Sequence, residues 1–154
     1  MTFKEIEQEL PNGFHDSQIR TIDMDFINRS VAIGLNLLMG GPDMPDPEEY
    51  RAGTLTIASV HLFFLDAPDP AYRFTPNGSP INSYGALVEV GDIEKIDRLR
   101  PSLPNNTVVY RFFLEEWNSS LFVAGESVEL SWDDDSMSEP INGPARKATW
   151  RKGR

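Results

Sequence analysis

The stretch "RTIDMDFINRSVAIGLNLLM", Arg20 to Met39, contains the clearest alternation of apolar and polar residues in the chain. In its first half Ile22, Met24 and Phe26 alternate with polar residues, which is typical of a strand with one buried and one solvent-facing side. The same two-residue period returns after Asn28-Arg29, where the apolar members are Val31, Ile33, Leu35 and Leu37. Two such runs joined by a short polar turn predict a long antiparallel hairpin.

Further strands follow, and two of them change their buried face part of the way along. The run Gly53–Leu65 changes it near Ala58-Ser59, and the run that ends at Trp132 changes it near Ala124-Gly125. A β-bulge at each point would restore one continuous inner face. Two shorter strands are also predicted, over Tyr84–Val90 and Val108–Glu115.

Two short helices complete the predicted elements. The first begins with the capping-box spacing of Thr2 and Glu5 and is ended by Pro11-Asn12-Gly13. The second follows Asp92, which is placed to cap it, and is ended by Pro101. The predicted fold class is mainly β, or α+β: an antiparallel sheet or sandwich of about six or seven strands with one or two short helices.

One domain is enough for a chain of 154 residues, because folding at this size already buries most of the surface. We assign residues 1–132 to a single β-rich domain. Residues 133–154 have few apolar side chains to bury, so we expect them to form a flexible C-terminal tail.

The composition excludes several chemistries. Without cysteine the chain has no disulfide, no thiolate metal site and no cysteine nucleophile. Neither a phosphate-binding loop nor a dinucleotide-binding motif occurs, so no cofactor is expected. The N-terminal "MTFKEIEQEL" is acidic, and no run approaches the ~20 apolar residues of a membrane span. We therefore expect a cytoplasmic protein with no membrane partner.

Charge is distributed unevenly along the chain. The net charge is -10, yet five of the fourteen basic residues lie in the last nine positions: Arg146, Lys147, Arg151, Lys152 and Arg154. The remainder would repel phosphate backbones, so no nucleic-acid partner is expected, and a basic protein partner is favoured. The residues that we assign to such an interface are acidic: Asp23, Asp25, Glu115, Glu116, Asp133, Asp134 and Asp135.

His15-Asp16 is the segment that most resembles an active site, and it has two interpretations. In the first it is a turn, in which the aspartate accepts backbone N–H groups two residues on and orders the passage into the first strand. In the second it joins His61, the other histidine of the chain, in a site of two histidines and one carboxylate. We favour the turn, so no catalytic residue and no metal is assigned; His15, Asp16 and His61 remain the candidate metal ligands.

Three quoted segments carry a resemblance: "LPNGFHDSQIRTIDMDF" (Leu10–Phe26), with its His-Asp pair before an alternating strand, "SVAIGLNLLM" and the closing "SSLFVAGESVEL". In this order they resemble a loose group of small bacterial β-rich proteins of uncharacterised function, some of them classed as polymorphic-toxin immunity proteins. The resemblance covers most of Leu10–Leu130 as a pattern and departs from the group in the proline loops and the basic tail. It implies a non-enzymatic role in binding a neighbouring toxin or another partner.

Three functions follow as hypotheses. The first is a non-enzymatic binding protein, an immunity protein for a basic toxin being the class that the resemblance implies. The alternative is a metal-dependent enzyme or small-ligand-binding protein that uses His15, Asp16 and His61. The third is a structural role in a homo-oligomer, because the edges of a sheet can pair with one another.

Overall fold

The predicted hairpin is present and forms the middle of a larger sheet. The computed structural model describes residues 1–133, in which eight antiparallel strands form one sheet accompanied by two short α-helices. The helices are α1 Phe3–Glu9 and α2 Glu94–Leu99. The strands are β1 Ser17–Asp25, β2 Ser30–Leu38, β3 Tyr50–Ala58, β4 Leu62–Leu65, β5 Ile81–Leu87, β6 Tyr110–Leu114, β7 Ser119–Ala124 and β8 Ser127–Trp132. The predicted class, a mainly β fold with an antiparallel sheet, is confirmed.

The sheet has the strand order β4-β7-β6-β5-β1-β2-β3-β8. Each edge strand continues directly from a strand near the opposite edge. β3 passes into β4 across residues 59–61, and β7 passes into β8 across residues 125–126. The sheet therefore folds over, and these two bends are its corners. Both lie at the predicted bulges, and Ser59 has a φ of +48°. Counted through the bends there are six continuous strands, which is why the periodicity predicts fewer than eight.

One hydrophobic core lies between the two halves of the folded sheet. The inward-facing side chains of β2, which are Val31, Ile33, Leu35 and Leu37, are fully buried and belong to one cluster with residues from the opposite half, among them Phe112 and Leu121. Helix α1 adds Phe3 and Ile6, and the Phe3 ring stacks on Tyr110 with ring centroids 4.5 Å apart. The predicted capping box is present at the start of α1.

The second half of β1 departs from the predicted burial. Ile22 pairs with Ile33 on the inner side of the sheet, as expected, yet 37 % of Ile22 and 82 % of Phe26 are exposed. The prediction that both are buried is wrong. β1 pairs with β5 only over Ser17–Ile19, and within the described residues no strand pairs with residues 20–25 on that side. The hairpin therefore extends beyond the elements that would cover it.

Helix α2 covers part of the outer face of the sheet, where Ile96 packs with Val109 and Phe122. Its N-cap is Ile93, so the prediction that Asp92 caps it is wrong; the Asp92 carboxylate accepts from the backbone N–H of Glu89 at 3.0 Å. Neither α1 nor α2 has the length and apolar content that crossing a bilayer requires, and residues 1–133 contain no other α-helix.

Candidate functional site

A shallow depression of about 410 Å³ lies on the outer side of the sheet, where β1 and β3 begin and β2 ends. Its lining combines three carboxylates, two tyrosine rings and two side-chain amides. We call it the acidic depression; these lining residues are Asp16, Glu48, Glu115, Tyr50, Tyr84, Gln18 and Asn82.

The floor of the acidic depression is a row of hydrogen-bonded amides that crosses three strands. Asn36 of β2 donates to the Gln18 side-chain oxygen of β1 at 3.1 Å, and Gln18 donates to Asn82 of β5 at 3.4 Å. Asn82 then donates to Glu116 from its backbone and from its side chain, both at 2.9 Å. These bonds fix the floor, because each amide is oriented by its neighbour.

The walls of the acidic depression are aromatic. The Tyr84 ring stacks with the His15 ring, with centroids 6.0 Å apart, and with the Phe113 ring, with centroids 5.3 Å apart. Tyr50 stands opposite Leu38 at the end of the β2–β3 ladder and is 40 % exposed. Aromatic faces beside carboxylates attract ammonium and guanidinium groups, since both the ring quadrupole and the negative charge favour a cation.

The carboxylates of the acidic depression are not neutralised by Lys or Arg in the described part of the chain. Within residues 1–133 the ion pairs of Lys and Arg involve other acidic residues, and the only ionic contact of Asp16 is with the His15 ring, whose Nδ1 lies 3.3 Å from Asp16 Oδ2. Burial and then the negative charges of Asp16 and Glu48 raise the pKa of Tyr50 above its usual value. The depression is therefore a region of negative potential.

Asp16 does not hold its turn in the way that the sequence predicts. Its carboxylate contacts the His15 side chain, and the turn is held instead by Asn12, which donates to Leu38 O at 2.9 Å and Gly40 O at 2.8 Å. Asp16 has a φ of +53°, a conformation that non-glycine residues rarely adopt. Aspartate tolerates this conformation better than most residues do, and Asp16 lines the acidic depression.

His61 lies apart from His15 and Asp16. It lines a second cleft of about 270 Å³ together with Met1 and Asn106, and its Nε2 is 3.8 Å from Glu126 Oε1. In residues 1–133 no three histidine, aspartate or glutamate side chains are placed to hold a metal ion. The three candidate metal ligands are thus not brought together.

Three of the acidic residues predicted to bind a partner have intramolecular roles. Asp25 accepts from the backbone N–H groups of residues 27 and 28, and these bonds lower its pKa. Glu116 holds Asn82, as described above. Asp133 binds the Arg20 guanidinium at 2.7 Å and Thr54 at 3.3 Å.

The remaining predicted partner residues divide into three groups. Glu115 lines the acidic depression, and Asp23 is exposed on the outer face of β1. Asp134 and Asp135 lie outside the described residues, as does the rest of the predicted tail after Asp133. Glu48 and Tyr50 also line the acidic depression, although the sequence does not predict them as site residues. The signal for both was the acidic and aromatic "PDPEEY" at the end of a proline loop, which gives no periodicity.

Comparison with protein-family models, curated proteins and solved structures found no match to this chain. The chemistry of the acidic depression is what indicates a function for this chain. Its carboxylates accept hydrogen bonds from a cation, its tyrosine rings pack against the alkyl or planar part of a basic side chain, and its amides are held in fixed orientations.

Proposed function

We propose that this chain is a non-enzymatic cytoplasmic binding protein that recognises a basic segment of a partner protein at the acidic depression. The observation that carries the proposal is the group of Asp16, Glu48 and Glu115 around two tyrosine rings, none of them paired with Lys or Arg in residues 1–133. A lysine or arginine side chain supplies the missing charge and also packs on the rings.

The charge of the whole surface supports the same partner chemistry. Residues 1–133 contain nine basic and 21 acidic residues, which gives a net charge of -12 with both histidines neutral. A field of this sign accelerates the approach of a basic protein and repels an acidic one. The resemblance to immunity-type proteins supports a basic toxin as that partner.

The proposal is tested by isothermal titration calorimetry with decalysine as the probe, at low and at physiological salt. The receptor is the full chain carrying Arg151→Gln/Lys152→Gln/Arg154→Gln, so that decalysine does not compete with the chain's own basic residues. The site variant is Glu48→Gln/Glu115→Gln. Its matched control is Glu9→Gln/Glu89→Gln, which removes the same charge from exposed carboxylates outside the acidic depression. Decaglutamate is the negative probe.

The site variant is expected to bind decalysine roughly three- to tenfold more weakly than the same receptor without the site changes, because two exposed ion pairs are lost. The control variant is expected to lose much less affinity. Equal losses in the two double variants would show that decalysine senses net charge alone, and the proposal would then be wrong.

A further inference from the structure

We infer that the basic C-terminal end of this same chain, residues 146–154, occupies the acidic depression, and that a basic partner must displace it. The inference rests on the proposed function for the identity of the site, and it adds the regulation of that site. Three observations lead to it: where the described chain ends, how much chain follows, and what charge that chain carries.

The described chain ends beside the acidic depression and points toward it. Asp133 donates its backbone N–H to Ala52 O at 3.1 Å, and its carboxylate is held by Arg20 at 2.7 Å. Trp132 stands opposite Gly53 in the antiparallel β3–β8 ladder. Beyond Gly53 in this direction β3 continues through Ala52 and Arg51 to Tyr50, which lines the acidic depression.

The chain that follows Asp133 is long enough to reach the acidic depression with its basic end. Thirteen residue steps separate Asp133 from Arg146, and an extended chain spans about 43 Å over this length. From β8 to β1 the path crosses three strand spacings, which is about 14 Å. The reach exceeds the distance severalfold, so length does not prevent the contact.

The charge of residues 146–154 complements the acidic depression. They carry five cations and the aromatic Trp150, and they contain no acidic residue. The segment between them and Asp133 begins with Asp134 and Asp135, which the carboxylates of the depression would repel. Only the last part of the chain therefore matches the site.

Tethering makes such a contact effective even when it is weak. A segment on a short linker has an effective concentration in the millimolar range, so a modest intrinsic affinity is enough for occupancy. A partner then competes with the chain's own end. The apparent affinity of the partner equals its intrinsic affinity multiplied by the fraction of sites that are open. Partners with a few exposed basic residues bind too weakly to displace the chain's own end, while partners with a denser basic segment displace it.

The test uses the absence of cysteine, which makes a single introduced thiol unique. In the full chain carrying Ala148→Cys, a nitroxide spin label is attached and the side-chain amide signals of Gln18 and Asn82 are followed by NMR. The control signals are the side-chain amides of Asn105 and Asn106, which line the separate cleft near His61. The label is expected to abolish the Gln18 and Asn82 signals at low salt and leave the control signals.

Two further measurements complete this test. Glu48→Gln/Glu115→Gln in the labelled chain is expected to restore the Gln18 and Asn82 signals. The second measurement uses a mixture of two chains, one with the spin label but no isotope and the other with the isotope but no spin label. The Gln18 and Asn82 signals are expected to remain in this mixture, because the contact is made within one chain. Unchanged or uniformly weakened signals in the labelled chain, or signals lost in the mixture, would overturn occupancy by the chain's own end.

Displacement is tested by decalysine titration of Arg151→Gln/Lys152→Gln/Arg154→Gln. The matched control is Lys4→Gln/Arg73→Gln/Arg98→Gln, which removes three exposed positive charges from the body. The tail variant is expected to bind about tenfold more tightly than the control; equal affinities would overturn the inference.

The two proposals fail in different ways. If the spin label has no local effect while Glu48→Gln/Glu115→Gln still weakens decalysine binding selectively, the inference is wrong and the proposed function stands. If the label affects the acidic depression but neither the unmodified chain nor the tail variant binds decalysine there, the proposed function is wrong and the intramolecular contact stands.

Discussion

Gly125 shows at the scale of one residue how the sheet turns its corner. A Cβ atom at this position would lie 2.5 Å from Ala58 O and 2.6 Å from Ile57 Cγ2, so the two bent strands approach too closely for a side chain. The sequence predicts an irregularity here from the change of buried face. It does not predict the close approach, because Ala58 is far away along the chain.

Gly125→Ala is expected to lower the free energy of unfolding by about 1–3 kcal/mol, since a backbone carbonyl must move to admit the methyl group. Urea unfolding followed by circular dichroism measures the change. Gly41→Ala is the control, because a Cβ there would have no atom within 4 Å. Equal midpoints for the two variants would contradict the close approach.

The β1–β5 pairing is the shortest in the sheet at the scale of elements. It joins three residue pairs, against eight between β2 and β3. Buried hydroxyls support it from the inside: the Ser17 hydroxyl lies 3.0 Å from that of Ser83 and 3.0 Å from Phe14 O. Strand periodicity predicts that both segments are extended, but the partner of each strand depends on the fold.

Ser17→Ala is expected to cost about 1 kcal/mol of stability, because a buried hydrogen bond is lost. Ser17→Ala/Ser83→Ala is expected to cost less than the sum of the single changes, since the two hydroxyls share one interaction. Urea unfolding of the four members of this double-mutant cycle measures the coupling, with exposed Ser127→Ala as the control. Strict additivity would show that the pair does not support the β1–β5 pairing.

For the whole molecule, Tyr110 connects α1 to the folded sheet. Its ring stacks on Phe3 and meets Phe14 edge-on at 5.5 Å, and its hydroxyl donates to Glu7 Oε1 at 3.3 Å. Burial, followed by the Glu7 charge and this hydrogen bond, raises the pKa of Tyr110 above its usual value near 10. The folded molecule therefore holds this proton more tightly than the unfolded chain.

Because the pKa of Tyr110 is raised on folding, the stability of the fold depends on pH. The contribution of Tyr110 is fully present below the unfolded pKa near 10, and it is lost as the pH rises from there toward the folded pKa. We expect the unfolding free energy to fall above about pH 10, and Tyr110→Phe to make this fall shallower. Urea titrations between neutral and alkaline pH measure both, with exposed Tyr72→Phe as the control. An equally steep fall in Tyr110→Phe would contradict this assignment.

Several elements of this protein can be predicted from local patterns in its sequence. The two-residue period of Arg20–Met39 predicts the hairpin, and the spacing of Thr2 and Glu5 predicts the start of α1. The changes of buried face predict a β-bulge at each of the two places where the structure instead divides the run into two strands. These signals are local, because the direction of a side chain in a strand or helix depends on the nearest residues.

Where those elements meet depends on the three-dimensional fold. Asp16, Glu48 and Glu115 lie on separate segments, and the β1–β5 and β2–β3 pairings bring them around one depression. The exposure of Ile22 and Phe26 likewise depends on β5 pairing with only the first residues of β1. Both results depend on pairing between residues distant in the chain, which is set by the packing of the whole core and not by local periodicity.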